Sequence, residues 1–203
     1  WPSGTWSVVD YYTEPKAVYY QMKRSYAPVL MSFFYRKDGK TVLFGVNDTL
    51  RDKRIRFEYG LKRIADGKTI WKKKGETDLS KYGGYSRELT DDTGDEGTYL
   101  YVSYSYDGIK TTTLYSPDFW SGVKFESDYA VKKEQLDEKR IAVTVKANKF
   151  AKFVFINMPE NYKRDYSDNY FDVEAGEEKT VIISSEEKID VKDVEVTDLG
   201  FCK

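Results

Sequence analysis

The chain opens with one stretch of helical pattern and then changes to strand patterning for the rest of its length. Around residues 14–26 the apolar positions recur at roughly helical spacing, which predicts a helix with one buried face. Thr13 is the predicted N-cap, Pro15 lies in the predicted first turn, and Pro28 ends the helix because it disfavours helical backbone in the preceding residue. The apolar face consists of Ala17, Val18, Met22 and the tyrosines between them.

From residue 29 onward, hydrophobic and polar residues alternate, as in antiparallel strands with one face buried. The predicted inward sets are Val42, Phe44, Val46, then Ile55, Phe57, Tyr59, then Leu100, Val102, Tyr104 and Tyr106. The alternation resumes beyond residue 122, and in residues 151–157 both faces are apolar, which predicts a strand covered on both sides. Three Asp-Gly pairs, at 38–39, 66–67 and 107–108, predict hairpins because this dipeptide tolerates positive φ.

These patterns predict an all-β chain in which two tandem immunoglobulin-like β-sandwiches follow one short N-terminal helix. The segment 114–122 contains a proline and interrupts the alternation, so the domain boundary is predicted there. The resulting division is 1–27, 28–117 and 118–203. The apolar helix face is expected to dock on the first sandwich or on another copy of the chain, which would give a homo-oligomer through the helix.

Composition argues against several functional classes. The 33 Lys and Arg residues balance the 34 Asp and Glu residues, so no nucleic-acid partner is predicted. No apolar run approaches the roughly 20 residues of a membrane span, so no membrane partner is predicted either. Histidine is absent, which removes histidine-based triads and histidine metal sites, and Cys202 is the single cysteine. No cofactor and no metal ion are predicted.

Acidic and aromatic residues raise two further hypotheses. Acidic pairs such as Asp91-Asp92 and Asp95-Glu96 are interpreted as a solvated loop, because adjacent acids on a strand point to opposite faces and the spacing misses the EF-hand pattern. Tyr99 and Tyr101 lie opposite the predicted core face, where exposed rings would form a platform for stacking on carbohydrate. The favoured alternative is that these tyrosines serve as strand formers that pack at interfaces.

Two polar motifs are interpreted as structural. Asn47, Asp48 and Thr49 form a glycosylation sequon, but a polar turn is the favoured interpretation. Ser167, Asp168 and Asn169 are turn formers, and Tyr170 and Phe171 are expected to anchor that loop to a core.

Four stretches resemble the β-mannosidases of glycoside hydrolase family 2, in the order in which that family carries them. WPSGTWSVVDYYTEPKAVYY, residues 1–20, is similar to the end of the catalytic barrel, and YAPVLMS, residues 26–32, resembles the linker that follows. GVNDTL, residues 45–50, resembles a strand and turn of the first C-terminal immunoglobulin-like domain. YSDNYFDVEAGEEKTV, residues 166–181, resembles the last domain.

This resemblance implies that the chain is a C-terminal fragment, comprising the last loop and helix of a (β/α)₈ barrel and two immunoglobulin-like domains. The family hydrolyses terminal β-mannosides with retention through two glutamates, one of which follows an asparagine. The sequence contains no Asn-Glu dipeptide, so the catalytic residues are expected upstream of Trp1 and none is predicted here. Trp1 corresponds to a tryptophan that lines the sugar subsite.

The expected function is therefore that of non-catalytic accessory domains, with the N-terminal and catalytic domains of the same chain as partners. The resemblance favours a periplasmic, secreted or lysosomal location over a cytoplasmic one. Two alternatives remain: a carbohydrate-binding module that uses the tyrosine face, and a stand-alone immunoglobulin-like adhesion protein.

Overall fold

A computed structural model describes residues 7–91, 93–95, 97–116, 120, 123–159 and 163–201 of the chain. Its contacts divide the chain into two compact units, of which one is residues 25–123 and the other combines residues 1–24 with residues 124–203. The predicted all-β class is confirmed, because strands in four antiparallel sheets make up most of the described structure. Within the described ranges, no helix has the length and apolarity to cross a membrane.

Residues 25–123 form the first sandwich, which pairs a three-stranded sheet with a four-stranded sheet. The sheets have the strand orders β1-β2-β5 and β4-β3-β6-β7. Their strands are β1 Val29–Tyr35, β2 Thr41–Asn47, β3 Lys53–Arg63, β4 Thr69–Leu79, β5 Gly84–Glu88, β6 Thr98–Tyr106 and β7 Ile109–Tyr115.

Residues 124–203 form the second sandwich, with the strand orders β11-β13-β9-β8 and β12-β10-β14. Its strands are β8 Tyr129–Asp137, β9 Arg140–Ala147, β10 Ala151–Asn157, β11 Arg164–Tyr166, β12 Phe171–Val173, β13 Glu178–Ser185 and β14 Glu195–Thr197. Short 3₁₀ helices cover Val191–Asp193 and Leu199–Phe201. Each sandwich has its own hydrophobic core.

The predicted faces of β3 and β6 are confirmed. Ile55, Phe57 and Tyr59 enter the first core from β3, and Leu100, Val102 and Tyr104 enter it from β6. The predicted double cover of β10 is also present. Val154 and Ile156 lie in the second core, while Phe155 on the other face stacks on the ring of Tyr170.

The predicted inward face of β2 is wrong. The buried positions that alternate along the strand include Leu43, Gly45 and Asn47, and Leu43 is the β2 residue in the core. Gly45 leaves room for Met31, since a Cβ at Gly45 would lie 3.4 Å from Met31 Cγ. The alternation misled because the opposite face, which carries Val42, Phe44 and Val46, is the more hydrophobic one.

All three Asp-Gly hairpins are confirmed, but only one has the two-residue turn. Asp107 and Gly108 have φ values of 47° and 81° and connect β6 directly to β7, as a type I′ turn requires. The turns at 38–39 and 66–67 are longer, and there the glycine alone adopts positive φ.

The helix α1 spans Ala17–Ser25 and begins later than its sequence signals suggest. Thr13 has a φ of 68° and belongs to the preceding turn, where the Asp10 carboxylate accepts hydrogen bonds from two backbone N–H groups. Pro15 forms an isolated β-bridge with Val9. The predicted N-cap at Thr13 is therefore wrong, because the Asp10 side chain draws this segment into a turn.

The expectation that α1 docks on the first sandwich is also wrong. Tyr20, the buried residue of the helix, is 2% exposed, and its ring lies 6.0 Å from that of Tyr170 in the second sandwich. Lys23 and Arg24 donate hydrogen bonds to the same part of that sandwich. The helix and the second sandwich therefore form one unit, although the first sandwich separates them in sequence.

Asn47 is a buried polar centre at one end of the first sandwich. Its Nδ2 donates to the carbonyl oxygens of Arg51, Leu79 and Ser80 at 2.9–3.1 Å, and its Oδ1 accepts from the backbone N–H and hydroxyl of Thr49. Its side chain thus joins the loop after β2 to the loop after β4. Since Asn47 is 0% exposed, attaching a glycan to its amide would require that end of the sandwich to open.

We predict that Asn47→Asp destabilises the chain by about 3 kcal/mol or more at pH 7, because a buried carboxylate would face three carbonyl oxygens. The destabilisation should be smaller in acid, since protonation of the new carboxylate restores a hydrogen-bond donor at position 47. Urea unfolding at pH 7 and at about pH 4 measures both effects.

The matched control is Asp48→Asn, since Asp48 is exposed and its backbone N–H bonds to Pro28 independently of its side chain. This variant should stay within about 0.5 kcal/mol of the parent. Equal stability of the Asn47→Asp and Asp48→Asn variants would contradict the structural role of Asn47.

Candidate functional site

The loop of residues 167–171, called here the SDNYF loop, is fixed to the second sandwich by a buried asparagine. Asn169 is 2% exposed; its Oδ1 accepts from the backbone N–H of Ile156 at 2.8 Å, and its Nδ2 donates to the Ile156 carbonyl oxygen at 2.8 Å. The amide thereby pairs with β10 as the backbone of a neighbouring strand would. It holds the loop in register with the sheet just before β12 begins.

Two aromatic residues of the SDNYF loop point in different directions. Phe171 lies in the core at 2% exposure, and the Lys179 ammonium lies 4.7 Å from the centre of its ring. Tyr170 has a φ of 50° and stacks on Phe155 with ring centres 4.6 Å apart. Burial raises the pKa of the Tyr170 phenol and, more strongly, that of Tyr20.

The C-terminal turn of α1 binds the SDNYF loop through two basic residues. Arg24 Nη1 donates to Asp168 Oδ1 at 2.6 Å and to the Asn169 carbonyl at 3.1 Å, and its Nη2 donates to the Tyr170 carbonyl at 2.9 Å. Lys23 Nζ donates to the Ser167 carbonyl at 3.0 Å. We call this arrangement the helix clamp: Lys23 and Arg24 on one side and residues 167–170 on the other.

Charge and burial both strengthen the helix clamp. Asp168 is 18% exposed at its side chain and also receives the Lys179 ammonium, so two cations meet one carboxylate. Its Oδ1 additionally accepts from the Asn169 backbone N–H at 2.8 Å. The planar guanidinium donates to two backbone carbonyls and a carboxylate through two separate nitrogen atoms, whereas a lysine would present one nitrogen.

A second contact secures the turn before the helix. The Arg164 side chain is only 7% exposed, and its Nη1 lies 3.8 Å from Glu14 Oε1. The same guanidinium donates to the Tyr166 hydroxyl at 2.9 Å and to the Pro159 carbonyl at 3.0 Å. Burial raises the pKa of the Tyr166 phenol, whose hydroxyl oxygen accepts the hydrogen bond from Arg164 Nε.

The chemistry that this arrangement supports is binding of α1 to the second sandwich. Its polar groups are paired with one another and its rings are stacked, so the site holds a helix. Among the described residues, no three His, Cys, Asp or Glu side chains lie close enough to bind a metal ion together. In the acidic loop, Asp91 pairs with Lys73 at 2.7 Å, whereas Asp92 and Glu96 lie outside the described residues.

The expected exposure of the tyrosine platform is wrong. Tyr99 is 0% and Tyr101 is 3% exposed, so neither ring offers a free face to a sugar. The Lys62 ammonium lies 4.4 Å from the Tyr101 ring centre, and the Tyr101 hydroxyl donates to Glu58. The ring of Tyr99 lies 5.9 Å from that of Trp120.

Sequence reasoning placed the remaining site residues in turns. Asn47 and Thr49 bond to each other, Asp48 is exposed, and residues 167–171 form the loop described above. Trp1 and Cys202 lie outside the described residues. The residues of this site that the sequence analysis did not single out include Glu14 and Arg164.

Comparison with known proteins is consistent with this description. The Ig_mannosidase family model, an Ig-fold domain, matches residues 127–200. No curated protein matches the chain. The structure is similar to a β-D-mannosidase from Dictyoglomus thermophilum, with a TM-score of 0.79 and 18% identity over 96% of this chain and 24% of that one.

The exo-chitosanase CsxA from Amycolatopsis orientalis is also similar, with a TM-score of 0.64 and 14% identity over 95% of this chain and 28% of that one. The chain therefore spans about a quarter of the length of these structural relatives. The predicted resemblance to family 2 β-mannosidases is confirmed at the level of fold and of the C-terminal domain. Residues 127–200 are therefore similar to the Ig-fold domain that the Ig_mannosidase family model describes.

Proposed function

We propose that this chain is the non-catalytic accessory part of a β-mannosidase-type glycoside hydrolase. Two observations support the proposal: the Ig_mannosidase domain at residues 127–200, and the similarity to two enzymes in which the matched region is about a quarter of the chain. In the intact protein, a preceding domain supplies two catalytic glutamates and hydrolyses terminal β-mannosides with retention. Trp1 lines the sugar subsite of that domain.

The observation that carries the proposal is the helix clamp. The segment that resembles the end of a catalytic barrel is fixed to the second sandwich by Arg24, Lys23 and the pair of Glu14 and Arg164. Because the C-terminal turn of the helix and the turn before the helix both contact the sandwich, the sandwich can hold the preceding domain in a fixed orientation. The accessory function is therefore to fasten and orient the C-terminal end of the catalytic domain.

The outward face of α1 is consistent with a preceding domain. Val18 is 46%, Tyr19 is 37% and Met22 is 38% exposed, and Tyr11 and Tyr12 on the turn before the helix are more exposed still. In the proposal this apolar face packs against the catalytic domain. A homo-oligomer through the same face remains the alternative, and analytical ultracentrifugation of the 203-residue chain distinguishes the two.

We predict that Arg24→Ala destabilises the second unit by about 1–3 kcal/mol, since it removes charge-assisted hydrogen bonds from a partly buried site. Hydrogen exchange of the α1 amides should accelerate with it. Arg24→Lys should recover part of the loss, because it restores the charge without the guanidinium fork.

The control for this series is Arg54→Ala. Arg54 pairs with Glu76 at 2.9 Å, but both side chains are more than half exposed, so solvent screens the pair and the effect should be much smaller than that of Arg24→Ala. Unchanged exchange of the α1 amides in Arg24→Ala would contradict the clamp. In the full-length enzyme, Arg24→Ala should shorten the half-life of activity at elevated temperature, and Arg54→Ala should not.

We further predict that the 203-residue chain does not hydrolyse an aryl β-D-mannoside, whereas the full-length protein expressed from its gene does. An aryl β-D-glucosaminide assayed in parallel separates mannosidase from glucosaminidase activity. Turnover by the purified 203-residue chain would refute the accessory assignment. A gene that encodes no large domain before Trp1 would refute it as well.

A further inference from the structure

The sequence contains three Asp-Gly pairs, and each lies in a hairpin turn of the first sandwich. An aspartate followed by glycine can convert to isoaspartate, because no side chain on the glycine hinders attack of its amide nitrogen on the aspartate carboxyl carbon. The reaction requires a free amide nitrogen and a carboxyl group that can turn towards it. The three turns differ in both respects.

The attacking amide is free in one of the three turns. The Gly39 N–H donates to the Arg36 carbonyl at 3.0 Å, and the Gly67 N–H donates to the Arg63 carbonyl at 2.9 Å. In the part of the chain that the structure describes, the Gly108 N–H has no hydrogen-bond acceptor. Apart from its chain neighbours, no atom lies within 4 Å of the place that a Cβ on Gly108 would take. The amide of Gly108 is therefore both unbonded and accessible.

The carboxyl group of the same turn is also the least restrained. Asp107 pairs with the Lys53 ammonium through one oxygen, and its side chain is 58% exposed. Asp66 is 39% exposed, and it accepts two hydrogen bonds from the Arg63 side chain, at 2.8 and 2.5 Å, and a third from the Lys68 backbone N–H. The Asp107 carboxyl group can therefore rotate more easily than that of Asp66.

Asp38 is restrained in the same way as Asp66. One of its oxygens accepts from the Arg36 side chain and the other from the Lys40 backbone N–H, and its side chain is 41% exposed. Hydrogen bonds from Arg63 also lower the pKa of Asp66 to about 2, which reduces the protonated fraction that the reaction consumes. Since each of the three aspartates has a cationic partner, the ion pairs alone do not distinguish Asp107 from the other two.

We propose that Asp107 is a site of spontaneous isoaspartate formation and that the product loosens strand β7. The Gly108 nitrogen attacks the protonated Asp107 carboxyl carbon; an N–C bond replaces the C–OH bond, and the hydroxyl leaves as water with the amide hydrogen. A second water molecule then opens the succinimide ring. Its addition at the main-chain carbonyl carbon gives isoaspartate, and its addition at the side-chain carbonyl carbon restores aspartate. One water leaves and one enters, so neither the mass nor the oxidation state changes.

Isoaspartate does not fit the turn in which it forms. Asp107 and Gly108 have φ values of 47° and 81° and connect β6 to β7 with two residues, whereas isoaspartate adds one carbon atom to the main chain. Among the described strands, β7 lies at the edge of its sheet and pairs with β6 alone. The pairing of Tyr106 with Ile109, next to the turn, is therefore the first to be lost.

The first experiment incubates the folded 203-residue chain for several weeks in mildly acidic buffer made with H₂¹⁸O. Each passage through the succinimide introduces one ¹⁸O atom, and electron-transfer fragmentation of the peptides distinguishes isoaspartate from aspartate. Asp107 should take up label about fivefold faster than Asp38 or Asp66, because the amides that follow those two must first give up a hydrogen bond. In concentrated urea, which removes the turns, the three rates should become similar.

Two matched variants separate the effect of the free amide from that of the ion pair. Lys53→Ala and Arg63→Ala each remove the cation beside one aspartate, but Arg63→Ala keeps the backbone carbonyl that binds the Gly67 N–H. Asp66 should therefore remain slower than Asp107 in Arg63→Ala. In Lys53→Ala, labelling of Asp107 should be at least as fast as in the parent chain.

The third variant, Asp107→Ser, tests the structural consequence. It should show no label at position 107, since serine has no carboxyl group. After ageing, the β7 amides of the parent chain should exchange faster with solvent deuterium, and those of Asp107→Ser should not.

Three outcomes would overturn the proposal. The first is label at Asp38 or Asp66 that equals or exceeds the label at Asp107 in the folded parent chain. The second is label at Asp107 without isoaspartate. The third is exchange of the β7 amides that ageing leaves unchanged in the parent chain, or accelerates equally in Asp107→Ser.

Discussion

Arg24 and Asp168 form the contact on which the unity of the N-terminal segment and the second sandwich depends. The two residues are 144 positions apart in sequence, and the ion pair at 2.6 Å is surrounded by hydrogen bonds to the carbonyl groups of the same loop. Tyr20 and Tyr170 add aromatic contact beside it. Without this group of interactions, α1 would be a nine-residue helix, too short to be stable in isolation.

Both sandwiches use a buried asparagine where their backbone pairing ends. Asn47 satisfies three carbonyl groups in the first sandwich, and Asn169 pairs with both backbone groups of Ile156 in the second. An asparagine amide carries a donor and an acceptor in the same arrangement as a peptide group, so it can continue a ladder into a loop. The hydrophobic cores stabilise the sheets, and these two amides determine where the loops lie.

Sequence reasoning predicted the fold class because alternation is a property of each strand alone. It failed for β2, where both faces of the strand are hydrophobic. Val42 and Phe44 make one face the more hydrophobic in sequence, but the core residue is Leu43 on the other face. It also failed for Tyr99 and Tyr101, because a tyrosine that counts as polar in a pattern can be buried by neighbours such as Lys62.

Only part of the candidate site could be predicted from the sequence. Residues 167–171 stood out as a turn with aromatic anchors, but the helix that binds them is encoded before the first sandwich. The pairing of Arg24 with Asp168 and of Glu14 with Arg164 depends on three-dimensional proximity, and a single sequence contains no signal for it.

The discontinuous unit has a consequence for synthesis of the protein on the ribosome. Translation proceeds at about 5–20 residues per second, so the 144 residues between Arg24 and Asp168 take roughly 7–29 s to be added. During that interval the first sandwich is completed, while the helix emerges without the loop that will receive it. The apolar, tyrosine-rich segment of the nascent chain is therefore exposed to solvent and to chaperones until the SDNYF loop has been synthesised.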